Sequence, residues 1–335
     1  MATRIGKSTI VFDKKPGVIG YGSVVGKKEH EGPLKDEFDA FDLDSRFGEK
    51  SFEKAESRMQ KIAVETALRK CGHSEKDIDI IFAGDLLNQC VGSSFGLRAM
   101  EIPFAGIYGA CSTMTLGLIL ASVCIDSCAA NCAVAVTSSH FCSAERQYRF
   151  PLEYGSVRPQ SSQWTVTGSG ATVLSLCEGK PYIDKATFGK IADLGVKDAN
   201  NMGAAMAPAA ATTLIEFFKD TNTCANDYDR IFTGDLGKVG SDLLYVLTKQ
   251  NGYDIEPVHS DCGLMIFNRE EQDVHAGGSG CGCSASILNS FVFSRFQSGE
   301  YKNILFMSTG ALLSPTSTMQ GESIPGIAHL VNIRI

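Results

Sequence analysis

Positive charge is in deficit, tryptophan occurs once, and no apolar run is clean enough to read as a membrane span. With 31 Lys and Arg against 38 Asp and Glu, the formal charge is −7. A nucleic-acid binder would present a basic face, so that class is set aside. Any anion site must instead be built from local donors rather than from the overall field. The most apolar stretch, 110–136, is interrupted by Asp126, by Ser and Thr before Leu116, and by a break near Ala129-Ala130-Asn131. A buried helix followed by a buried strand is the expectation there. Met1 to Asp13 lacks the apolar stretch of a secretory signal. A protein soluble by itself is therefore expected, with peripheral membrane association left open. The twelve cysteines contain no paired CxxC halves, so no structural zinc pattern is present. Reduced thiols are expected, most of them packed as small apolar groups. No low-complexity segment occurs.

What is present is a repeat. Asp79-Ile80-Ile81-Phe82-Ala83-Gly84-Asp85-Leu86 returns 150 residues later as Asp229-Arg230-Ile231-Phe232-Thr233-Gly234-Asp235-Leu236, with six of eight positions identical. Ahead of the first copy, Met59, Ile62, Ala63, Thr66 and Ala67 form one stripe of an amphipathic helix, closed by Arg69, Lys70 and Gly72. Ahead of the second lies a helical pattern over 204–218. After each copy a small-residue turn opens an apolar helix that leads to a strand: Cys111-Ser112 to the strand 132–137, and Cys283-Ser284 to the strand 303–307. The second half carries an extra segment, 251–277, read as an insertion. The alternation implies α/β layers, and a buried helix in each half fits a duplicated five-layer α/β/α/β/α sandwich. The halves are placed at 1–178 and 179–335.

Gly109-Ala110-Cys111-Ser112-Thr113 is the most informative site motif. A cysteine on a tight turn at a helix N-terminus meets backbone N–H groups and the positive dipole end, which favour thiolate. A small buried residue at a helix start is the plainer alternative. Asn88, Gln89 and Gln163 offer amides. His140 follows the strand beside the Cys111 turn, as a ligand donor or as a satisfied loop histidine. Asp85 and Asp235 hold equivalent repeat positions, either facing a site or stabilising turns. Arg146, Arg149 and Arg158, among Tyr148, Phe150, Tyr154 and Trp164, are a local basic group that serves an anion, a partner or solvent.

Tyr108-Gly109-Ala110-Cys111-Ser112 resembles the nucleophile turn of type III β-ketoacyl synthases and thiolases. Gly168-Ser169-Gly170-Ala171 is similar to that superfamily's GDGA turn, with serine replacing the aspartate. Gly280-Cys281-Gly282-Cys283-Ser284-Ala285-Ser286 resembles its late glycine turn, and Thr309-Gly310-Ala311 its terminal glycine-rich loop. Where those enzymes carry His-Gln-Ala-Asn, this chain has Gly234-Asp235-Leu236-Gly237, and Cys281 stands near the asparagine or second-histidine position. Losing one oxyanion donor typically costs about 100- to 1,000-fold in rate. The resemblance therefore implies a degenerate, non-catalytic member with no cofactor.

The runs Ala83-Gly84-Asp85-Leu86-Leu87-Asn88-Gln89, Thr137-Ser138-Ser139-His140-Phe141, Arg158-Pro159-Gln160 and Gln163-Trp164-Thr165-Val166-Thr167-Gly168 resemble the stage V sporulation protein AD family of endospore-forming bacteria. That resemblance implies a relict pocket binding dipicolinic acid or its calcium chelate, in support of uptake into the developing spore. It places Asp85, Asn88, Gln89, Cys111, His140, Gln163, Asp235 and Cys281 as ligand-binding candidates, with Asp85 and Asp235 available to calcium. It also implies membrane partners of the same operon, a position peripheral to the spore inner membrane on its cytoplasmic face, and a homodimer. Two alternatives stand beside it. One is an acyl-transfer enzyme using Cys111, with His140 as base, although no basic phosphate cradle for coenzyme A is evident. The other is a purely structural subunit with a collapsed pocket.

Overall fold

The computed structural model describes residues 1–148, 157–176 and 181–335. The division expected at 178 and 179 lies outside the described residues, as do Arg149, Phe150 and Tyr154. The strands nevertheless repeat. In the first half the sheet order is Phe104–Gly106, Ile80–Gly84, Cys132–Ser139, Gly168–Ser175, Gly17–Val25. In the second it is His259–Asp261, Arg230–Thr233, Asn303–Ala311, Gly326–Arg334, Tyr182–Thr187. Each half has parallel pairing among its first three strands and antiparallel pairing among the rest. The two sheets meet where Tyr182 pairs with Gly17.

The segment read as an insertion, 251–277, therefore supplies the fifth strand of the second half, His259–Asp261, equivalent to Phe104–Gly106. Each of these strands has three residues. That is too short for alternation to register against the surrounding polar chain.

Local chemistry sets the helices. Ser51 accepts the Lys54 N–H at 3.3 Å to open Phe52–Cys71, and Gly72, at φ +72°, closes it. Met59, Ala63, Thr66 and Ala67 of that helix are buried against the first sheet. Thr113–Asp126 is apolar or small on every side because it lies between the sheets, touching Cys132–Ser139 of one and Asn303–Ala311 of the other. Cys281–Ile287 occupies the same central layer, and Met202–Thr221 covers the far sheet. The layers are thus helix, sheet, helix, sheet, helix, a mixed α/β sandwich. At 14 residues, the central helix spans about 21 Å at 1.5 Å per residue, short of the roughly 30 Å hydrocarbon core. Among the described residues no helix is long and apolar enough to cross a membrane.

Gly168 to Gly170 is not a turn feeding a strand but part of the strand Gly168–Ser175. A Cβ on Gly170 would lie 2.1 Å from the Ala285 carbonyl oxygen. Glycine there is a packing requirement: it lets the central helix Cys281–Ile287 rest directly on the sheet.

Candidate functional site

The turn before Thr113–Asp126 is tied by its own hydroxyls. Ser112 Oγ donates to Gly109 O at 2.6 Å, Thr113 Oγ1 donates to Ala110 O at 2.6 Å, and Gly109 N donates to Thr113 Oγ1 at 3.0 Å. Ala110 is held at φ +49°, a conformation a non-glycine residue adopts only where the surroundings impose it. The second half supplies that constraint. Gly310 packs so closely that a Cβ would lie 2.6 Å from Gly109 O and 3.2 Å from Cys111 N. Beside it, Thr115 Oγ1 donates to Ser308 Oγ at 2.7 Å. Cys111 is presented at this seam between the halves, 7% exposed.

Asp235 meets the cysteine from the second half. Its carboxylate accepts Gly280 N at 2.8 Å and Thr309 Oγ1 at 2.8 Å, and it lies beside the Cys111 thiol. Burial raises Asp235 to about 7, against the opposing pull of these hydrogen bonds. Burial also holds the Cys111 thiol well above its ordinary value, and the Asp235 and Cys281 charges push the same way. The helix N-terminus pulls towards thiolate by only about 0.3–1 kcal/mol, so burial and the carboxylate prevail. Both effects favour the neutral Cys111 thiol over the thiolate.

Cys111 opens into a narrow pocket of about 40 Å³, well below the roughly 300–1,000 Å³ of small-molecule sites. Leu86, Ala144, Met202 and Leu313 supply apolar wall, while Tyr108, Glu145, Tyr148, Thr165 and Ser279 supply polar groups. The phenols interlock: the two hydroxyls are 3.0 Å apart, and Tyr148 donates to Leu86 O. Thr165 Oγ1 donates to Glu145 Oε1 at 2.9 Å. The described lining holds one carboxylate, from Glu145, and no Lys, Arg or His.

The sequence model of the family described as Stage V sporulation protein AD matches residues 6–334. This chain belongs to that family. It is 46% identical over 324 residues to the Stage V sporulation protein AD of Bacillus subtilis (strain 168), covering 97% of this chain and 96% of that one. Among solved structures it is similar to 3-oxoacyl-[acyl-carrier-protein] synthase III from Aquifex aeolicus VF5, at TM-score 0.58 and 13% identity, covering 96% of this chain and 100% of that one. It is also similar to OleA of Xanthomonas campestris, at TM-score 0.61 and 12% identity, covering 97% and 99%. At that identity the likeness establishes the thiolase fold alone. This member of the family has a thiolase-like fold.

Within this member of the stage V sporulation protein AD family, the sequence-derived candidates separate. Cys111 lines the pocket, Asp235 lies beside its thiol, and Cys281 packs beneath it, donating to Ser138 O at 2.9 Å. Asp85 is not brought there: it accepts Leu87 N at 2.8 Å, and Ser93 N and Oγ at 2.7 and 2.6 Å, which closes its own turn. The repeat thus gives its two aspartates different work. In the second half Asp261 takes the turn-closing part, accepting Leu236 N and Gly237 N at 2.9 Å each, and Asp235 is released to the site.

Asn88 and Gln89 lie exposed outside the pocket, and Asn88 pairs with the Gln147 amide. Gln163 does not line it either; its Nε2 donates to Asp235 O and Gly278 O at 2.7 Å each, fixing the backbone behind the site. His140 is buried and turned away, with Nε2 2.8 Å from Ser45 O and Nδ1 accepting Cys142 N. Desolvation lowers its pKa, so it is neutral. Arg146 pairs with Glu53, and Arg158 donates to Asp273 O.

Sequence reasoning missed Glu145, Thr165 and Met202 as lining residues, and it placed Tyr148 only in a basic loop. The helix Phe141–Tyr148 puts Ala144, Glu145 and Tyr148 on one face. That helical spacing was the available signal.

Proposed function

We propose that the pocket beside Cys111 binds dipicolinic acid, most favourably as its calcium chelate, without catalysing acyl transfer. The observation that carries the reading is the buried Asp235 carboxyl group, held by Gly280 N and Thr309 Oγ1 beside the Cys111 thiol. It occupies the place where a condensing enzyme needs a proton-moving, oxyanion-stabilising donor. All six histidines fall in described residues, and none lines the pocket. A thiol held neutral beside an acid neither attacks a thioester nor repels a ligand.

Leu86, Met202 and Leu313 form an apolar slot with hydroxyl groups at its edge, and these side chains must move apart to seat an aromatic ring in its 40 Å³. Its described lining includes the Glu145 carboxylate and several hydroxyl groups. Calcium accepts carboxylate and hydroxyl oxygen ligands, which supports the chelate as the bound form. The wider reading follows the family: a subunit peripheral to the spore inner membrane, acting with membrane partners of its operon as a homodimer in support of dipicolinate uptake.

Calorimetric titration with dipicolinic acid, with and without calcium, tests this on the parent and on Ala144→Phe, which fills the pocket from the Phe141–Tyr148 helix. Saturable binding, tighter with calcium and lost in the variant at unchanged melting temperature, is expected. Flat titrations of the parent in both conditions would remove the proposal.

A further inference from the structure

Outside the pocket, Phe52–Cys71 and Val91–Leu97 lie against each other and leave an open groove of about 360 Å³. Gly96 sets how closely they approach: a Cβ there would lie 2.5 Å from Ser57 O, and Ser57 Oγ donates to Gly92 O at 2.8 Å. Lys54, Arg58 and Lys61, spaced i, i+4 and i+7, line one wall. Arg98 faces them from the other side, its guanidinium over the Phe95 ring at 4.9 Å, and that ring is 58% exposed.

The charge here runs against the rest of the molecule. Four cations meet a single lining carboxylate, Glu49, on a chain whose formal charge is −7. Among the described residues only Lys61 of the four is ion-paired, to Glu65 at 3.6 Å across exposed helix surface. Such a pair is worth little and is readily exchanged for another carboxylate.

We propose that this groove docks an acidic polypeptide segment of another protein. Shape separates that occupant from an anionic bilayer. The cations line a concave cleft between two helices, which a flat head-group surface cannot enter and a single extended or helical segment can. Phe95 on the rim adds an apolar anchor of the kind that interfaces concentrate. Charge complementarity of this type sets encounter rate and partner choice more than raw affinity, and it weakens with salt. This proposal does not depend on what the Cys111 pocket binds.

The test is fluorescence anisotropy of a labelled peptide of repeating Glu-Ala-Ala against the full chain, with repeating Gln-Ala-Ala as the neutral probe. The parent is expected to bind the acidic peptide at least tenfold more tightly than the neutral one, and to lose most of that on raising NaCl. Arg58→Glu with Lys61→Glu should weaken binding at least tenfold, whereas Lys249→Glu with Lys302→Glu, away from the groove, should not. Should the reversal variant fail to fold, Lys54→Gln with Arg98→Gln is the milder pair, and binding as tight as the parent's in that pair would refute the site. Equal binding of both peptides, or equal losses in groove and remote variants, would overturn the proposal. Preferential binding of phosphatidylglycerol vesicles that the acidic peptide fails to displace would overturn it in favour of a membrane surface.

Discussion

Replacing Asp235 by Asn tests the central electrostatic argument directly. In the parent the carboxyl group accepts from Gly280 N and Thr309 Oγ1 and lies beside the Cys111 thiol. Asn keeps the shape and one acceptor oxygen, but turns the other position into an N–H₂ donor. The side chain beside the sulfur can then present a donor in place of an acceptor, which favours the thiolate over the thiol. Ionised Asp235 adds a repulsion as well: two unit charges about 4 Å apart at an effective dielectric of 20 interact by about 4 kcal/mol. With Asp235 titrating at about 7, much of that is present at pH 8. Recovering even a third of it, about 1.4 kcal/mol, is a tenfold change in thiolate population. Alkylation of Cys111 by iodoacetamide at pH 8, followed by peptide mass mapping to separate it from exposed Cys128 and Cys224, is expected to accelerate at least tenfold in Asp235→Asn. Equal rates in the two proteins would show that burial alone silences the thiol and that Asp235 has no part in it.

Glu56 supplies a stability prediction. Burial, then the Asp85 charge, raises it from 4.5 to about 8, despite hydrogen bonds from Ser143 and Ser138 at 2.8 and 3.1 Å. The folded state keeps its proton while the unfolded chain loses it above pH 4.5, so stability falls as pH rises from about 4.5 to about 8. At about 1.36 kcal/mol per unit the whole loss is at most about 5 kcal/mol. Urea denaturation should show Glu56→Gln flattening the pH profile over that window; parallel profiles would contradict it. Gly310→Ala should cost about 2 kcal/mol or more by thermal melting, since its Cβ would press on Gly109 O at 2.6 Å; an unchanged melting temperature would refute the close approach. Incubation with acyl-thioesters should leave Cys111 unmodified by intact mass, and a covalent adduct there would restore the acyl-transfer reading.

The sequence by itself determined the duplication, the layer order and the position of the cysteine turn. A repeated octapeptide, a striped helix and two all-apolar helices are local patterns whose burial follows from their own residues. It could not show the short edge strands Phe104–Gly106 and His259–Asp261, because three residues carry no period, nor that Gly170 serves helix packing rather than a turn. Only the tertiary structure decided which polar groups meet. Asp85 and Asp235 occupy equivalent positions, yet the first is consumed by Leu87 and Ser93 of its own turn. The second is freed because Asp261, on a different strand, closes the corresponding turn. His140 and Gln163 look like ligand donors in the chain, but Ser45 claims the one, and the backbone at Asp235 and Gly278 claims the other. Which hydrogen bonds a buried side chain makes depends on partners brought in from distant sequence, and no local pattern encodes that.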